Sequence, residues 1–296
     1  MISRRDFLRV AGITAFSFAA AAQPITQNTK VTTTDDVFSF VVIADPQIFW
    51  GPLKQWERAI ASVNLLKPAF AIVCGDMINS VADLEKRDRA EDERMAQAYL
   101  RVAGTLDKDI PLYHVAGNHD VYNHPTPETL AWYETKFGKP WYSFTYQNCL
   151  FIILESNVLK HPEGASAVDK WQMEWLRLTL ENAEKRNFEH KTVYIHHPMF
   201  IESVDEKDSY HNMPSARRLE LLELFRKYNI TAVFSGHYHR NRHARYGDVE
   251  LITTSSSGIA LPEDNPEDPL GFRIVKVCPG RIEHKYYSYE DMPKKL

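Results

Sequence analysis

Five short apolar runs in this sequence are each followed, within a few residues, by side chains that can bind a metal ion. The segments after the runs are Asp45-Pro46-Gln47, Gly75-Asp76, Gly117-Asn118-His119-Asp120, His196-His197-Pro198 and Gly236-His237-Tyr238-His239. Continuous apolar runs of this length are typical of strands that are buried on both faces. Ligands of α/β sheets bind beyond the carboxyl ends of the strands. We therefore expect these polar side chains to converge on one site.

The donor types in these segments favour a pair of divalent ions. Carboxylate oxygen, amide oxygen and imidazole nitrogen suit Mn, Fe, Zn or similar metals. None of the segments offers a thiolate, which disfavours a structural zinc cage. Two ions roughly 3.5–4 Å apart can share a bridging hydroxide and hold a phosphate group for in-line attack. Such a pair requires one carboxylate that bridges both ions.

The order of the five motifs resembles that of the calcineurin-like metallophosphoesterases, from about residue 37 to residue 289. Segments similar to the calcineurin-like phosphoesterase domain-containing protein 1 family, which includes a serine/threonine protein phosphatase, are Asp45-Pro46-Gln47, 198–203, 236–241, 271–273 and 284–288. The resemblance implies a metal-dependent phosphoester hydrolase, with a phosphomonoesterase or phosphatase as the leading interpretation. A phosphodiesterase that uses the same site is an alternative, and so is a metal-binding protein with weak catalysis.

The resemblance also implies a role for each residue of the site, with two divalent ions as cofactors. Asp76 is the bridging ligand and a catalytic residue. The other implied ligands are, for the first ion, Asp45 and His239 and, for the second ion, Asn118, His196 and His237. His119 is the implied catalytic residue near the leaving-group oxygen, where it protonates that oxygen or stabilises the phosphoryl charge.

Three positions depart from the patterns of the superfamily. Gln47 stands where the first motif usually ends in His, which predicts a looser first metal site or a water between the amide and the metal. Asn79 stands where purple acid phosphatases have a tyrosine ligand, so no tyrosinate colour is expected. Phosphatases of the calcineurin type have an Asp at that position, and without it the protonation of His119 is open. Ser80 replaces their phosphate-binding Arg.

Several residues near the motifs are candidates for contact with the substrate. Arg240 or Arg217 are the two residues that would replace the missing phosphate-binding Arg. His197 is a candidate for the pocket wall, with a supporting role behind the ligands as the alternative. The polar segment 202–214 predicts a rim loop, from which Tyr210 or His211 would touch substrate, or a merely solvated loop. Asp120 is expected to brace its loop rather than bind metal.

Alternating apolar runs and helical patterns are expected to position these residues. The predicted strands are residues 37–44, 69–74, 111–115, 141–146, 150–155, 192–195, 231–234, 243–246, 249–254, 272–277 and 281–287. The predicted helices are residues 53–66, 81–102, 168–186 and 215–228, the second of which carries a solvated charge run at 85–94. The fold class is therefore α/β, with two packed mixed β-sheets flanked by helices. The family resemblance specifies a four-layer α/β/β/α metallophosphoesterase sandwich.

The N-terminal residues resemble a signal peptide for export. Ser3-Arg4-Arg5-Asp6-Phe7-Leu8 and the apolar stretch after it resemble a twin-arginine signal, which we assign to residues 1–22. Residues 23–36 are polar and read as a linker, and residues 37–290 as one metallophosphoesterase domain. We expect the export machinery as a partner, a periplasmic or secreted location and no stable membrane span after cleavage. The related family is usually intracellular in animals, so the signal leaves the substrate open.

Composition limits the remaining possibilities. The chain has 296 residues, a size that needs no disulfide or structural metal to fold. Its net charge of −4 argues against a nuclease or another nucleic-acid-binding protein. The expected partner is instead a phosphorylated substrate, either a small molecule or a phosphoprotein. Cys74, Cys149 and Cys278 lie far apart in or beside apolar runs, so we expect small buried hydrophobic residues rather than metal ligands.

Overall fold

The computed structural model of the chain describes residues 37–259 and 268–296, together with the backbone of a two-residue strand at Thr26–Gln27. The predicted export signal, residues 1–22, lies outside the described residues, and so does the predicted linker, residues 23–36, apart from that short strand. The described residues include the domain predicted for residues 37–290 apart from residues 260–267.

Twelve strands and seven α-helices make up the described part of the chain. The strands are β1 (Thr26–Gln27), β2 (Phe38–Ile43), β3 (Ala71–Cys74), β4 (Leu112–Val115), β5 (Tyr142–Tyr146), β6 (Cys149–Ile153), β7 (His190–Tyr194), β8 (Ala232–Ser235), β9 (Arg242–Tyr246), β10 (Val249–Thr253), β11 (Gly271–Cys278) and β12 (Arg281–Ser288). The helices are α1 (Leu53–Leu66), α2 (Arg89–Ala103), α3 (Asn118–Val121), α4 (Pro127–Phe137), α5 (Ser156–Lys160), α6 (Ser166–Glu184) and α7 (Ser215–Lys227), with short 3₁₀ turns at Leu84–Lys86 and Pro162–Gly164.

The strands form two mixed sheets. The seven-stranded sheet has the order β1-β5-β6-β7-β8-β10-β9, and the five-stranded sheet has the order β12-β11-β2-β3-β4. In the first sheet, β6, β7, β8 and β10 are parallel to their neighbours in the centre, and in the second sheet β2, β3 and β4 are parallel. The antiparallel pairs are the hairpins β5-β6, β9-β10 and β11-β12, together with β2-β11.

Three apolar cores hold the layers together. Between the sheets lies an aromatic core, in which Phe40 stacks on Phe70 with ring centroids 4.8 Å apart and meets Phe151 edge-on. A second core packs the outer face of the five-stranded sheet against α1, α2 and α4, and a third packs the seven-stranded sheet against α6 and α7. Burial on both faces explains the continuous apolar strands. The predicted four-layer α/β/β/α sandwich is confirmed.

The helix predicted for residues 81–102 is wrong at its beginning. Asp83 caps a 3₁₀ turn by accepting a hydrogen bond from the amide of Glu85, and α2 begins only after Asp88. The side chain of Asp88 accepts hydrogen bonds from the amides of Ala90 and Glu91, so a second cap restarts the helix. The charge run is solvated except at Asp92, which is buried and accepts a hydrogen bond from the Tyr122 hydroxyl.

Helices α3, α4 and α5 were not predicted, because they are short and begin within polar segments. The three cysteines are buried and unpaired, as expected. Trp171 and Trp175, on α6, pack against two different cores. Among the described residues, no helix combines the length and the apolar character needed to span a membrane.

Candidate metal centre

Five strand ends, from both sheets, deliver polar side chains to one end of the sandwich. The ligand-type residues come directly after β2 (Asp45 and Gln47), β3 (Asp76), β4 (Asn118), β7 (His196) and β8 (His237 and His239). All are buried except His239, whose side chain is 8% exposed. The structure therefore brings together all seven metal ligands that the sequence predicted, over separations of up to about two hundred residues.

The first group of donors, here called donor set A, consists of Asp76, Asn118, His196 and His237. His196 Nε2 lies 3.3 Å from Asp76 Oδ2, 3.1 Å from Asn118 Oδ1 and 3.2 Å from His237 Nδ1. Asp76, His196 and His237 can each offer one donor atom to a common ion. Four donor atoms thus surround one point.

Backbone carbonyl groups determine which nitrogen of each imidazole faces that point. The carbonyl of Cys74 lies 2.9 Å from His196 Nδ1, and the carbonyl of Tyr210 lies 3.0 Å from His237 Nε2. A carbonyl can only accept, so these two nitrogens carry the protons. When both rings are neutral, His196 Nε2 and His237 Nδ1 face each other with lone pairs, an arrangement that a proton or a metal ion between them stabilises. Donor set A therefore fits a divalent ion, with the ligand orientation that metal-binding histidines usually show.

The charges of the site also favour a cation. Burial would lower the pKa of His196, but the Asp76 carboxylate outweighs burial and raises the pKa of His196 to about 9. Burial would raise the pKa of Asp76, but the charges of His196 and His119 hold it below its usual range. Burial and the neighbouring His196 keep the pKa of His237 well below its ordinary value.

The second group, here called donor set B, consists of Asp45, Gln47, Asp76 and His239. His239 Nε2 lies 3.3 Å from Asp45 Oδ1, and Asp45, Asp76 and His239 can offer donor atoms to a common ion. Gln47 Nε2 donates to Asp76 Oδ2 at 3.4 Å, whereas Gln47 Oε1 is buried and has no hydrogen-bond partner. An orphaned amide oxygen is costly unless something binds it, so a metal ion fits this set too. Asp76 belongs to both sets.

The backbone adopts unusual conformations to aim these side chains. Positive φ angles occur at Asp45 (50°), Gln47 (33°), Asp76 (56°), His237 (66°) and His239 (55°). A positive φ angle at a non-glycine residue destabilises the fold, and such residues cluster at functional sites.

Two glycines in the motifs allow the close approach of the ligands. A Cβ atom at Gly117 would lie 2.1 Å from Asp76 Oδ1, and one at Gly75, where φ is +90°, would lie 2.2 Å from His196 Nδ1. Each of these motifs therefore needs Gly, because any larger side chain would overlap a neighbouring ligand-type residue.

His119 lies at the edge of both donor sets. Its amide donates to Asp76 Oδ1 at 2.9 Å, and its Nδ1 lies 2.5 Å from the carbonyl oxygen of Ser80. Nδ1 therefore carries a proton, and Nε2 is left for a reacting group. The missing Asp partner of His119 is replaced by a main-chain carbonyl, which sequence reasoning missed because every residue has one.

Asp120 braces the loops instead of facing the ligands. Its carboxylate accepts hydrogen bonds from the amides of Asp76 and Gly117, both at 2.8 Å, and of Ile78 at 3.2 Å. The predicted bracing role agrees with this geometry. Burial and the charge of Asp76 raise the pKa of Asp120 well above its usual value.

The segment 202–214 passes over donor set A. The Asn118 Nδ2 group donates to the Tyr210 hydroxyl at 3.0 Å, which turns the Asn118 Oδ1 atom toward His196. His211 is exposed beside Tyr210, with its ring 5.6 Å from that of His237. Both candidates for substrate contact thus lie at the rim of the centre.

The other candidates for substrate contact, His197, Arg217 and Arg240, have different surroundings. His197 is only 2% exposed, lies 2.9 Å from the Ser156 hydroxyl and packs 4.3 Å from the His237 ring, so it supports a ligand from behind. Arg217 pairs with Asp169 at 2.8 Å and with Glu220 at 2.9 Å. The guanidinium of Arg240 lies 5.9 Å from the ring centroid of Tyr238, the residue between His237 and His239 in the chain.

Comparisons with known proteins agree with this geometry. Residues 38–241 match the family described as Calcineurin-like phosphoesterase. The chain is 35% identical to the serine/threonine-protein phosphatase CPPED1 of Rattus norvegicus over 279 residues, which cover 87% of this chain and 86% of that protein. It is 33% identical to the Homo sapiens protein of the same name over 281 residues, with the same coverage of 87% and 86%.

Solved structures with a similar fold include two phosphatases. A dimetal phosphatase from Danio rerio superposes with a TM-score of 0.60 at 16% identity, over 86% of this chain and 100% of that one. The purple acid phosphatase PPD1 from yellow lupin, Lupinus luteus, superposes with a TM-score of 0.66 at 15% identity, over 88% of this chain and 52% of that one.

Two donor sets that share one carboxylate, at the strand ends of an α/β/β/α sandwich, define a binuclear metallophosphoesterase. This chain belongs to the calcineurin-like phosphoesterase family. It is a metal-dependent phosphoester hydrolase of the phosphatase type, with two divalent metal ions as cofactors.

Proposed function

We propose that this enzyme is a phosphomonoesterase that removes phosphate from phosphorylated serine or threonine residues of proteins. The observation that carries the proposal is the pair of donor sets that share Asp76, with the free Nε2 atom of His119 beside them. The relatives named serine/threonine-protein phosphatase, at 33% and 35% identity, support the substrate class. The predicted alternative of a phosphodiesterase uses the same groups and is separated by experiment.

Each residue of the centre has a defined task in this proposal. Asp76 would be the ligand common to both ions, since it belongs to both donor sets. Donor set A completes one site, and donor set B, including the amide oxygen of Gln47, completes the other. When bound, the ions lower the pKa of a water molecule and neutralise the phosphate charge. The protein residues hold the phosphoester, fix the imidazole tautomers and manage the proton of the leaving group.

His119 is the residue that handles the leaving-group proton. Its Nδ1–H is fixed on the Ser80 carbonyl, so protonation of Nε2 gives an imidazolium that can donate to the departing alkoxide oxygen. In this proposal Tyr210 contacts the phosphate itself. Its oxygen accepts from Asn118, so its own O–H is free to donate to a phosphoryl oxygen. Tyr210 thereby takes the place of the phosphate-binding Arg that Ser80 replaces.

The proposal is tested by hydrolysis of p-nitrophenyl phosphate and its bis-ester by the metal-stripped protein supplied with Mn, Fe, Zn or Mg. We expect turnover of the mono-ester to return with metal, and a phosphoserine peptide to be hydrolysed by the same preparation. Preference for the bis-ester would make the enzyme a phosphodiesterase. Absence of turnover despite two bound ions would identify a metal-binding protein with no catalytic role.

Replacement of the shared carboxylate tests the two-ion arrangement. Asp76→Asn removes a charge from both donor sets, so we expect the metal content to fall below two ions per chain. We expect kcat/KM to fall by at least about 100-fold. Metal analysis and p-nitrophenyl phosphate hydrolysis measure the two effects. Asp169→Asn, which breaks an ion pair with Arg217 outside the centre, is the matched control and retains both properties. A variant at Asp76 with two ions and full turnover would refute the shared role.

We further propose that the protein is exported by the twin-arginine route and acts in the periplasm or outside the cell. The support is the sequence Ser3-Arg4-Arg5-Asp6-Phe7-Leu8 and the apolar stretch that follows it. Cell fractionation of the tagged full chain tests this, with Arg4→Lys/Arg5→Lys as the variant. Retention of the variant inside the cell while the original chain is exported is the expected result, and equal distribution of both would oppose the proposal.

A further inference from the structure

Exposed apolar side chains gather around the metal centre. Within residues 37–259 and 268–296, nine large apolar or aromatic residues are exposed. Four of these nine lie close to the donor sets or His119: Trp50 and Tyr210 pack beside ligand-type histidines, and Phe49 and Val81 follow Gln47 and Ser80 closely in the chain. We call these four residues the apolar rim. Scattered exposed apolar residues are normal, but exposed apolar surface bordered by polar residues marks a binding site.

One part of the rim lies beside donor set B. Phe49 and Trp50 are 56% and 54% exposed, and the Trp50 ring centroid lies 6.3 Å from that of His239. The turn that carries them is closed by hydrogen bonds from the amides of Trp50 and Gly51 to the carbonyl of Gln47, both at 3.1 Å.

The same turn holds its aromatic side chains in water at a conformational cost. Phe49 has a φ angle of 73°, which a bulky residue rarely adopts. The chain therefore accepts both backbone strain and exposed aromatic surface at one turn, directly after the ligand Gln47. Strain of this kind persists at functional sites, where it forms part of the binding geometry.

The other part of the rim lies beside donor set A and His119. The Tyr210 ring is 49% exposed and lies 4.7 Å from the ring of His237. Val81 is 45% exposed and follows Ser80, whose carbonyl fixes His119. Tyr210 is held firmly, since the buried Lys160 ammonium donates to the carbonyl of the preceding residue, Ser209, at 2.7 Å.

We propose that the apolar rim binds large apolar side chains on both sides of the phosphorylated residue in a peptide substrate. The inference rests on the proposed function and deepens it. Trp50 lies beside donor set B and Tyr210 beside donor set A, so each of the two sets that share Asp76 has apolar surface next to it. A small alcohol leaving group is large enough to contact only one of these two apolar surfaces. An extended phosphopeptide offers a side chain to each.

The test uses the metal-loaded full enzyme and two phosphoserine peptides of equal length and charge. One peptide has Phe on both sides of the phosphoserine, and the other has Ala. We expect kcat/KM to favour the Phe peptide by about 10-fold or more, because each apolar contact contributes about that factor. In Trp50→Ala we expect the ratio to fall several-fold. Leu65→Ala, which removes a side chain that is 77% exposed on α1, keeps the original ratio.

The ratio of the two peptides separates this inference from the function itself. If p-nitrophenyl phosphate is not hydrolysed with any metal, the proposed function fails and this inference falls with it. If that ester is hydrolysed but the Phe and Ala peptides react equally, only the rim is refuted. An unchanged ratio in Trp50→Ala also refutes it. Preference for naphthyl phosphate without preference between the peptides would mean that the rim takes one aromatic leaving group, contrary to the proposal.

A second variant tests the apolar rim without any change at Trp50. Phe49→Gly relieves the positive φ angle while removing one aromatic ring, so we expect a higher Tm together with a lower Phe-to-Ala peptide ratio. A higher Tm with an unchanged ratio would show that the strained turn has no part in substrate selection and would contradict the rim. Thermal unfolding monitored by circular dichroism and the same peptide assay give both readouts.

Discussion

Main-chain carbonyl groups determine which ring nitrogen carries the proton in three histidines of the metal centre. The contacts are His196 to Cys74, His237 to Tyr210 and His119 to Ser80. A carbonyl does not titrate or rotate away, so each ring keeps one tautomer and one direction. The motifs in the sequence predicted which residue types meet at the centre. They could not predict which ring nitrogen faces inward, because any residue can supply a carbonyl and only the fold decides which one does.

A change at His119 should affect substrates according to their leaving groups. Asn at this position retains an amide that can donate to the Ser80 carbonyl but cannot protonate a leaving oxygen. We expect kcat to fall about 100-fold or more for phosphoserine. The fall should be much smaller for p-nitrophenyl phosphate, whose leaving group needs no proton. Steady-state kinetics on both substrates measure the difference. His243→Asn, at a 52% exposed side chain outside the centre, is the control. Equal losses on both substrates would argue against a proton-donating role.

At the scale of elements, the segment 202–214 shows where sequence reasoning stops. The strands that end in ligand motifs could be predicted, because their apolar runs and the polar residues after them are adjacent in the chain. The order within 202–214 has a different origin. Part of it comes from Lys160 on α5 and from Arg218 on α7, which donate to carbonyl groups of the segment, and part comes from Glu206 and Asn212 within the segment. A polar segment alone therefore left the choice between a rim loop and a solvated loop open.

Arg218 contributes four hydrogen bonds to the order of this segment. The side chain is fully buried, and it donates to the carbonyls of Val204, Glu206 and Met213. Arg218→Met would leave these acceptors without donors, so we expect the free energy of unfolding to fall by about 3 kcal/mol. Urea unfolding measures this loss, and limited proteolysis should show new cleavage within 202–214. Arg226→Met, at an exposed position on α7, should change neither. Unaltered protease resistance of the Arg218 variant would mean that the other contacts of the segment suffice to order it.

At the scale of the whole molecule, one buried guanidinium joins the two sheets. Arg273 on β11 is 5% exposed and belongs to the five-stranded sheet. It donates to the Thr254 hydroxyl at 3.2 Å and to Asn241 Oδ1 at 2.7 Å, both in segments that flank strands of the seven-stranded sheet. A third contact, at 3.0 Å, reaches His284 Nδ1 on β12. Because arginine only donates, His284 must remain neutral to accept this bond.

This contact predicts a loss of stability in mild acid. Burial first, and then Arg273, lower the pKa of His284 to about 4, and the other groups that face it are Glu250 and His243. As the pH falls below about 6.5, the unfolded chain binds a proton that the folded chain rejects, so stability decreases. Because solvent screens part of this shift at a partly exposed ring, the cost at pH 5 is on the order of 1 kcal/mol.

His284→Asn keeps an acceptor for Arg273 but does not titrate. We expect the decrease in Tm between pH 7 and pH 5 to be smaller by several degrees in this variant than in the original protein. The difference between the two decreases is the readout, since other groups that titrate in this range contribute equally to both proteins. Identical decreases would show that His284 has no share in the acid sensitivity of the fold.

The tight packing at Gly75 and Gly117 has a consequence for how related sequences are judged. A methyl group at either position would displace a ligand without altering the identity of any ligand. A relative that retains every Asp, Asn and His of the motifs but carries alanine at one of these glycines would therefore be inactive, although an inventory of its ligands would count it among the enzymes. In searches for inactive members of this family, the two glycines discriminate as strictly as the ligands do.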